Sequence, residues 1–554
     1  MENKDNFIYE VSKEDQAQMH TVEQNQVIFA NDNNNNNYSS NQITFDLSSF
    51  YNTSSLINWR TAYLQIPLIS TVVLEGTGAG NQWPNIFALK NGYANIINSI
   101  QVECSNSTVN QISNNINYYT NFKVYTTKSK DWFDTAGQSS GYYGLDSHNS
   151  WKYYNVANVN GFGSSNNNNF IDTNNVSSTI TANPGGFIPG NESLFQRTRS
   201  YLRQDIPTSS VINANGAEQL LTTDKMNSMG MDYVTLNGNT RTYYNTAIIR
   251  LGDIADFFDK LNLARCYIRL IVNVNVGSCV NTIVAGVPTA FSQNFSYNTC
   301  PFMLCQKNES NLLTDVTKIT ASTYVVKDKV SGAQHNFSSC RVYAEQILLN
   351  PEKEKIYRMN NAQKLLVWND VFSTSLINTA PGSQANYVIS NGLSRLVGIL
   401  AIPMINSAYN NSSNPVISGM SPALSPFATE PSTTSPLMSL YNYNAFVGGK
   451  ALLPSNLIFN FNTFNDQLLG VNSLNGGGFV SGDLCSGTID YNKWSNNYRY
   501  YFLDAERRNE ADNSPKSISV QFTNNNAVAI DVFFFCIFKR EAMIDIVSGQ
   551  MQML

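Results

Sequence analysis

The stretch SISVQFTNNNAVAIDVFFFCIFKREAMI, residues 517 to 544, decides the fold class. Its first part alternates, with Ile518, Val520 and Phe522 on one parity, and reads as a strand with one buried face. The Asn-rich segment that follows reads as a turn, because Asn tolerates left-handed backbone and bonds its own neighbours. The second strand differs in kind: from Phe533 to Phe538 it is apolar at both parities, so something must cover each of its faces. The question is what covers the second one.

Working outward, the chain has 554 residues, beyond the roughly 250–300 at which a single hydrophobic core stops growing, so two domains are expected. Charged residues are 14% against 42% hydrophobic, and the polar balance is made with Asn, Ser and Thr, which favour turns and caps. That composition suits many short strands and long loops, and suits a helical bundle poorly. The net charge of −5 and pI near 5.4 argue against a chain whose main task is neutralising nucleic-acid phosphates. Eight cysteines are scattered without a CxxC pair and are expected to be reduced, mostly buried thiols. The start, MENKDNFIYEVSKEDQ, has no apolar h-region, so a cleaved secretory signal is not expected, and no run reaches the 18 apolar residues of a membrane span.

Residues 1–24 read as a charged arm, followed by a first strand at 26–30 and a polar, Asn-rich loop at 31–41. Strands are expected in ITFDLSSF, AYLQIPLISTVVLEG, ANIINSIQVEC, YVTLNG with RTYYNTAIIRL, ARCYIRLIVNVNV, SRLVGILAIPMI and NLIFNFNTF, with a hairpin at the Asn-Gly-Asn of 237–239. Helices are expected only around 108–122 and at 253–261, and 155–192 should be surface loop. After RVYAEQILL comes PEKEKIYR, a charged segment opened by a proline, and KLLVWNDVF then starts a fresh β-rich run, which puts a domain boundary near 350. YLQIPLI at 63–69 and ILAIPMI at 399–405 echo one another. The echo fits a duplicated β-domain and also fits chance, but in either case each proline must lie at an edge, a bulge or a ladder end.

Candidate chemistry is thin. EGTGAGNQWP at 75–84 lacks the third spaced glycine and the helix start of a dinucleotide site. GQSSG around Ser139, with His148 and Asp134 nearby, lacks the strand and helix that make a nucleophile elbow. His20, His148 and His335 are far apart, and Cys300 and Cys305 have no second pair to complete a zinc site. Asp253, Asp256 and Asp259 recur at three-residue spacing and are expected to line the solvent face of an amphipathic helix. Arg197, Arg199 and Arg203, with Tyr201 among them, are the densest basic patch, suited to an interface or to nucleic-acid contact. No catalytic, cofactor-binding or metal residues are assigned, and the chain is not expected to be an enzyme. The alternative function is a carbohydrate-binding or adhesive β-sandwich, in which Trp132, Tyr142, Tyr143 and Trp151 would stack on sugars.

NQITFDLSSF leading into WRTAYLQIPLI, the mid-chain NTAIIRLGDIADFFDKLNLARCYIRLIVNVN, and the closing YYFLDAERRNEADNSPKSISVQFTNNNAVAIDVFFFCIFKREAMI resemble the major capsid proteins of virophages and polinton-like viruses. The resemblance implies an all-β chain of two consecutive eight-stranded jelly-roll sandwiches with long loops and a few short helices: an arm at 1–24, a first jelly roll at 25–350 and a second at 351–554 with a short tail. It also implies a homotrimeric, pseudo-hexameric capsomer tiling an icosahedral shell around a double-stranded DNA genome. Penton and minor capsid proteins would be partners, the arm would touch the genome weakly, and the place would be the virion after folding in host cytoplasm or nucleus. In such a chain FFFCIF belongs to the second jelly roll, with one face in its sandwich and the other against the first jelly roll or another subunit.

Overall fold

The computed structural model describes residues 22–142, 240–275, 339–406, 438–469, 488–506 and 514–554, apart from short interruptions, and only isolated strands between them. In the first half, eight strands carry the architecture: β1 (Val22–Asn31), β2 (Gln42–Asp46), β3 (Leu56–Glu75), β4 (Ile97–Cys104), β5 (Ser107–Asn110), β6 (Thr240–Arg250), β7 (Ile268–Val274) and β8 (Arg341–Leu349). The second half has β9 (Gln363–Thr379), β10 (Gln384–Leu393), β11 (Leu396–Ile405), β12 (Leu440–Val447), β13 (Lys450–Ala451), β14 (Tyr501–Asp504), β15 (Lys516–Asn524) and β16 (Ile530–Asp545), with β17 (Met551–Met553) added at the end.

Counted within each half, the strands pair in the same two orders, 1-8-3-6 and 2-7-4-5, and these pairings are antiparallel. Two four-stranded sheets in these orders, packed face to face, are a jelly roll, and the chain contains two of them. The first is extended by strands Gly277–Ile283 and Lys318–Val325, which continue the 1-8-3-6 sheet along the far part of β3. Among the described residues no sheet mixes strands from before and after the connection at 350–362. That connection is a helix, Pro351–Asn360: Asn350 accepts from the Glu352 amide at 3.1 Å, and proline takes the first position, where its missing N–H costs nothing.

Several sequence expectations need correction. The helix expected at 108–122 is β5 followed by α1 (Ile116–Thr127), because the alternating S-T-V-N completes a sheet first. The helix expected at 253–261 is two short ones, α2 (Leu251–Ile254) and α3 (Asp256–Lys260), broken where Ala255 is extended at φ −128°, ψ 113°. The first strand is longer than 26–30, a pair of short strands, Asn168–Ile171 and Ser177–Ile180, interrupts the stretch read as loop, and the end of NLIFNFNTF, read as a strand, opens the helix Phe461–Leu469. The hairpin at 237–239 is present, with Asn237 opposite Thr240. The four cysteines with described side chains, Cys104, Cys266, Cys340 and Cys536, are free and buried.

The two Ile-Pro segments fall on β3 and β11, the third strand of each half. Pro67 sits where the neighbour on one side of β3 changes, β8 ending at Gln65 and the next strand starting at Leu68. Pro403 lies two residues past the last β14 pair, Ala401 with Tyr501. Each proline thus has a side without a ladder partner, as its lack of an N–H requires. Corresponding residues nevertheless face opposite ways: Leu64 is on the sandwich face of β3, whereas Leu400 opposes Phe535 and Phe502 on the outer face of β11. A one-residue offset flips every side chain, so the echo marks equivalent strands without equivalent faces.

In the opening stretch, Phe534 lies 5.8 Å from Tyr387 and 6.3 Å from Phe522, both on the facing sheet, so this parity fills the sandwich. Asp531 is fully buried and accepts from the Asn378 amide (2.7 Å) and the Asn406 side chain (2.6 Å). The Asn-rich turn is a clasp: Asn524 donates to Thr379 and Val528 carbonyls, and Asn526 to the Ser439 carbonyl, tying three loops at one end of the sandwich. Gly398 packs so closely that a Cβ would come 2.4 Å from the Phe502 ring. Gly398→Ala is therefore expected to lower stability by about 1–3 kcal/mol through overpacking, read as a reduced urea midpoint with unchanged slope.

Candidate functional site

The other face of β16 answers the opening question. Phe533 lies 5.2 Å edge-on from Tyr118 and Phe535 6.2 Å from Tyr119, both on α1 of the first half. The next turns of α1 continue the seam, with Phe122 5.6 Å from Phe502 and 5.2 Å from Tyr500, and Tyr125 4.6 Å from Tyr498. Nearly all of α1 is buried, because it is held between its own jelly roll and the second one. That explains its sequence: INYYTNFKVYTT has no polar stripe because the helix has no solvent face. Its Asn121 serves the first half, donating to Asn95 at 2.8 Å. Burial, with the Asp531 carboxylate near, pushes the Tyr118 phenol far above its ordinary range.

Beside the aromatic seam runs a charged one. Lys123 of α1 is buried, donates to the Gly252 carbonyl at 2.7 Å, and pairs with Asp256 and, at 3.9 Å, with Asp259. Lys128 pairs with Asp253 at 3.4 Å and lies over the Trp132 ring at 5.3 Å. Burial alone would lower the Lys123 pKa, but the Asp256, Asp259 and Asp253 carboxylates more than offset it and hold the ammonium above its usual value. This corrects the reading of the aspartates as a solvent face for two of the three: Asp253 and Asp256 have only 6% and 14% of their side chains exposed, whereas Asp259 keeps 37%. The three-residue spacing did place them together, and the cation they face comes from about 130 positions upstream.

A third contact is stitched by hydrogen bonds. Trp368 of β9 donates to the Val109 carbonyl at 3.1 Å and packs 5.2 Å from Phe257 of α3. Arg540 of β16 donates to the Thr108 and Val109 carbonyls at 3.0 and 3.1 Å, and its guanidinium lies 3.4 Å from Asp370, which also accepts from Asn110 at 3.1 Å. Ser113 donates to the Val371 carbonyl. A cavity about the size of one water lies in this seam, lined by Asn110, Ser113, Tyr119, Asp256 and Asp370 among others. At that size the seam is a packing interface between the halves.

The remaining candidates do not converge. Ser139 donates to the Ala136 carbonyl at 2.7 Å, and Asp134 pairs with Lys130, while His148 lies outside the described residues. His20, His335, Cys300, the Arg197, Arg199 and Arg203 patch, Tyr143 and Trp151 are also outside them. Among the described residues no three His, Cys, Asp or Glu side chains gather as a metal site, and no helix is long and apolar enough to cross a membrane. Tyr142, expected as an exposed sugar platform, is 1% exposed and packed against Tyr125, Trp132 and Phe133. Sequence reasoning missed Lys123, Asp370 and Arg540. The available signal was a lone charge inside an otherwise aromatic or apolar run, as in NFKVY and VWNDVF.

No family model matches the sequence, and no curated protein matches it. Among solved structures, a chain of the Sputnik virophage determined by cryo-EM at 3.5 Å is similar with a TM-score of 0.50 and 11% identity, over 96% of this chain and 89% of that one. The mavirus major capsid protein gives 0.40 and 11%, over 99% and 94%, and the Faustovirus major capsid protein 0.41 and 9%, over 94% and 90%. At these identities the likeness is one of fold.

The charged seam can be probed directly. Asp256→Asn leaves Lys123 buried beside a neutral amide and is expected to cost about 3 kcal/mol. Asp134→Asn, at a carboxylate paired with the exposed Lys130, should change stability by less than about 1 kcal/mol, and urea denaturation compares the two.

Proposed function

We propose that the chain is a major capsid protein: a structural subunit that assembles with copies of itself into a viral shell. One observation carries the reading. Two jelly rolls of identical strand order are packed by a buried helix into one block, an arrangement similar over 96% of its length to a chain of a virophage particle. A shell tile must be rigid, and the seam supplies rigidity through aromatic contacts worth about 0.5–1.5 kcal/mol each beyond their area.

On this reading the domains divide near 350, with residues 25–350 and 351–554 forming the two jelly rolls. Three chains then present six jelly rolls in a ring, so a threefold oligomer tiles hexagonally. Trimer formation calls for interfaces of order 2,000–5,000 Å². The charged segment 1–24 is assigned to contacts with minor capsid proteins or the double-stranded DNA genome, and the working location is the virion.

Light scattering on a sizing column, followed by negative-stain imaging of the same peak, tests the proposal. Three chains of 61.6 kDa, about 185 kDa in all, with hexagonal outlines are expected. A monodisperse 61.6 kDa species at every concentration would sink it.

A further inference from the structure

The two 1-8-3-6 sheets are topologically equivalent, but they are covered differently. In the second half the rung Ser373, Phe535, Leu400, Phe502 crosses β9, β16, β11 and β14 on the outer face, and α1 lies on it. The corresponding rung of the first half is Phe29, Tyr343, Tyr63, Arg250, across β1, β8, β3 and β6. Its rings pack in a row, 5.7 Å between Phe29 and Tyr343 and 4.9 Å between Tyr343 and Tyr63. Phe29 is 51% exposed and its face neighbour Val27 65%, while Tyr63 and Tyr343 are half-buried.

The helix that covers the second half comes from the connection between the fifth and sixth strands of the first. The second half carries helices in the same connection, α4 (Phe461–Leu469) and α5 (Tyr491–Asn496). α4 packs inward with Phe464 and Leu468 fully buried, yet Ile458 just before it is 67% exposed and Tyr491 64%, with Phe461 5.8 Å from the Tyr491 ring. The charges are complementary. Asp466 and Asp490 are exposed beside these helices, while the first-half face carries Arg60, Arg250 and Arg341, the last over the Phe29 ring at 4.8 Å. The acid on that face, Glu345, is already bonded by Asn58 at 2.7 Å.

We infer that the outer face of the first jelly roll, centred on Phe29, Tyr343 and Tyr63, is the docking site for the α4–α5 helices of a second copy of this chain. The contact repeats between chains what α1 makes within one, and it is head-to-tail, so each chain has one acceptor face and one donor face. The inference rests on the self-assembling reading above and adds which surfaces meet.

The test uses full-length Phe29→Asp and Tyr491→Asp, both on exposed side chains, with circular-dichroism melting to confirm that each keeps the wild-type fold. Should either fail to fold, Val27→Asp or Ile458→Asp replaces it. At a concentration where the wild type is trimeric, each variant alone is expected at 61.6 kDa. An equimolar mixture joins the one intact acceptor to the one intact donor and gives a two-chain species of about 123 kDa that cannot close a ring. A wild type that stays monomeric overturns the self-assembly reading itself. A trimeric wild type whose two variants remain trimeric overturns this pairing of surfaces, as do monomeric variants that fail to combine on mixing.

Discussion

The structure depends on covering both faces of β16. A strand with apolar side chains at both parities stays out of water only when a second layer lies on the outside of its sheet, and fully burying each phenylalanine is worth about 1.5–3 kcal/mol. One parity is satisfied by the sandwich, through Phe534 against Tyr387 and Phe522. The other requires something from outside the second jelly roll, and α1 supplies it. The first half is therefore fixed relative to the second by the same hydrophobic demand that folds the second.

A helix used this way meets a polar problem. Its interior position strips water from Lys123, and an isolated buried ammonium would be driven neutral. Three aspartates on α2 and α3 and the Gly252 carbonyl replace the lost hydration, and Gly252 allows this approach because a Cβ there would lie 2.2 Å from the Asp259 carboxylate. Such pairing contributes little net stability compared with an apolar contact of the same shape, but it penalises any other docking of the helix that would leave the charges apart. The apolar seam supplies most of the attraction, and the ionic one fixes the register.

How much of this was legible in the sequence follows from the range of each interaction. The two-sided burial of FFFCIF could be read locally, since parity is a property of adjacent residues. The order of strands came with the resemblance. α1 stayed hidden because period-based reading detects a contrast between faces, and INYYTNFKVYTT has none. Asp253 and Asp256 were misread for the opposite reason: DIADFFDKL shows a helix-like contrast, but these two carboxylates face lysines from a distant segment instead of water. Pro67 and Pro403 show the limit of local echoes, since their strands correspond and their faces do not.

The duplication leaves one asymmetry that a single chain cannot remove. Each jelly roll has an outer 1-8-3-6 face and helices in its fifth-to-sixth connection that can cover such a face. Among the described residues of one chain there are two such faces and two sets of helices, and one match is made, α1 on the second half. On the inference above, the unmatched pair, the first-half face and α4–α5, meet across a boundary between copies. A contact of that kind is heterologous, and it ends in a closed ring or continues as an open filament according to the rotation it imposes. If each jelly roll turns the path by the same angle, the contact within the chain and the contact between chains are alternating steps of one near-sixfold ring. Three chains then suffice to close it, and the number of subunits is set by the angle at which α1 already holds the two halves.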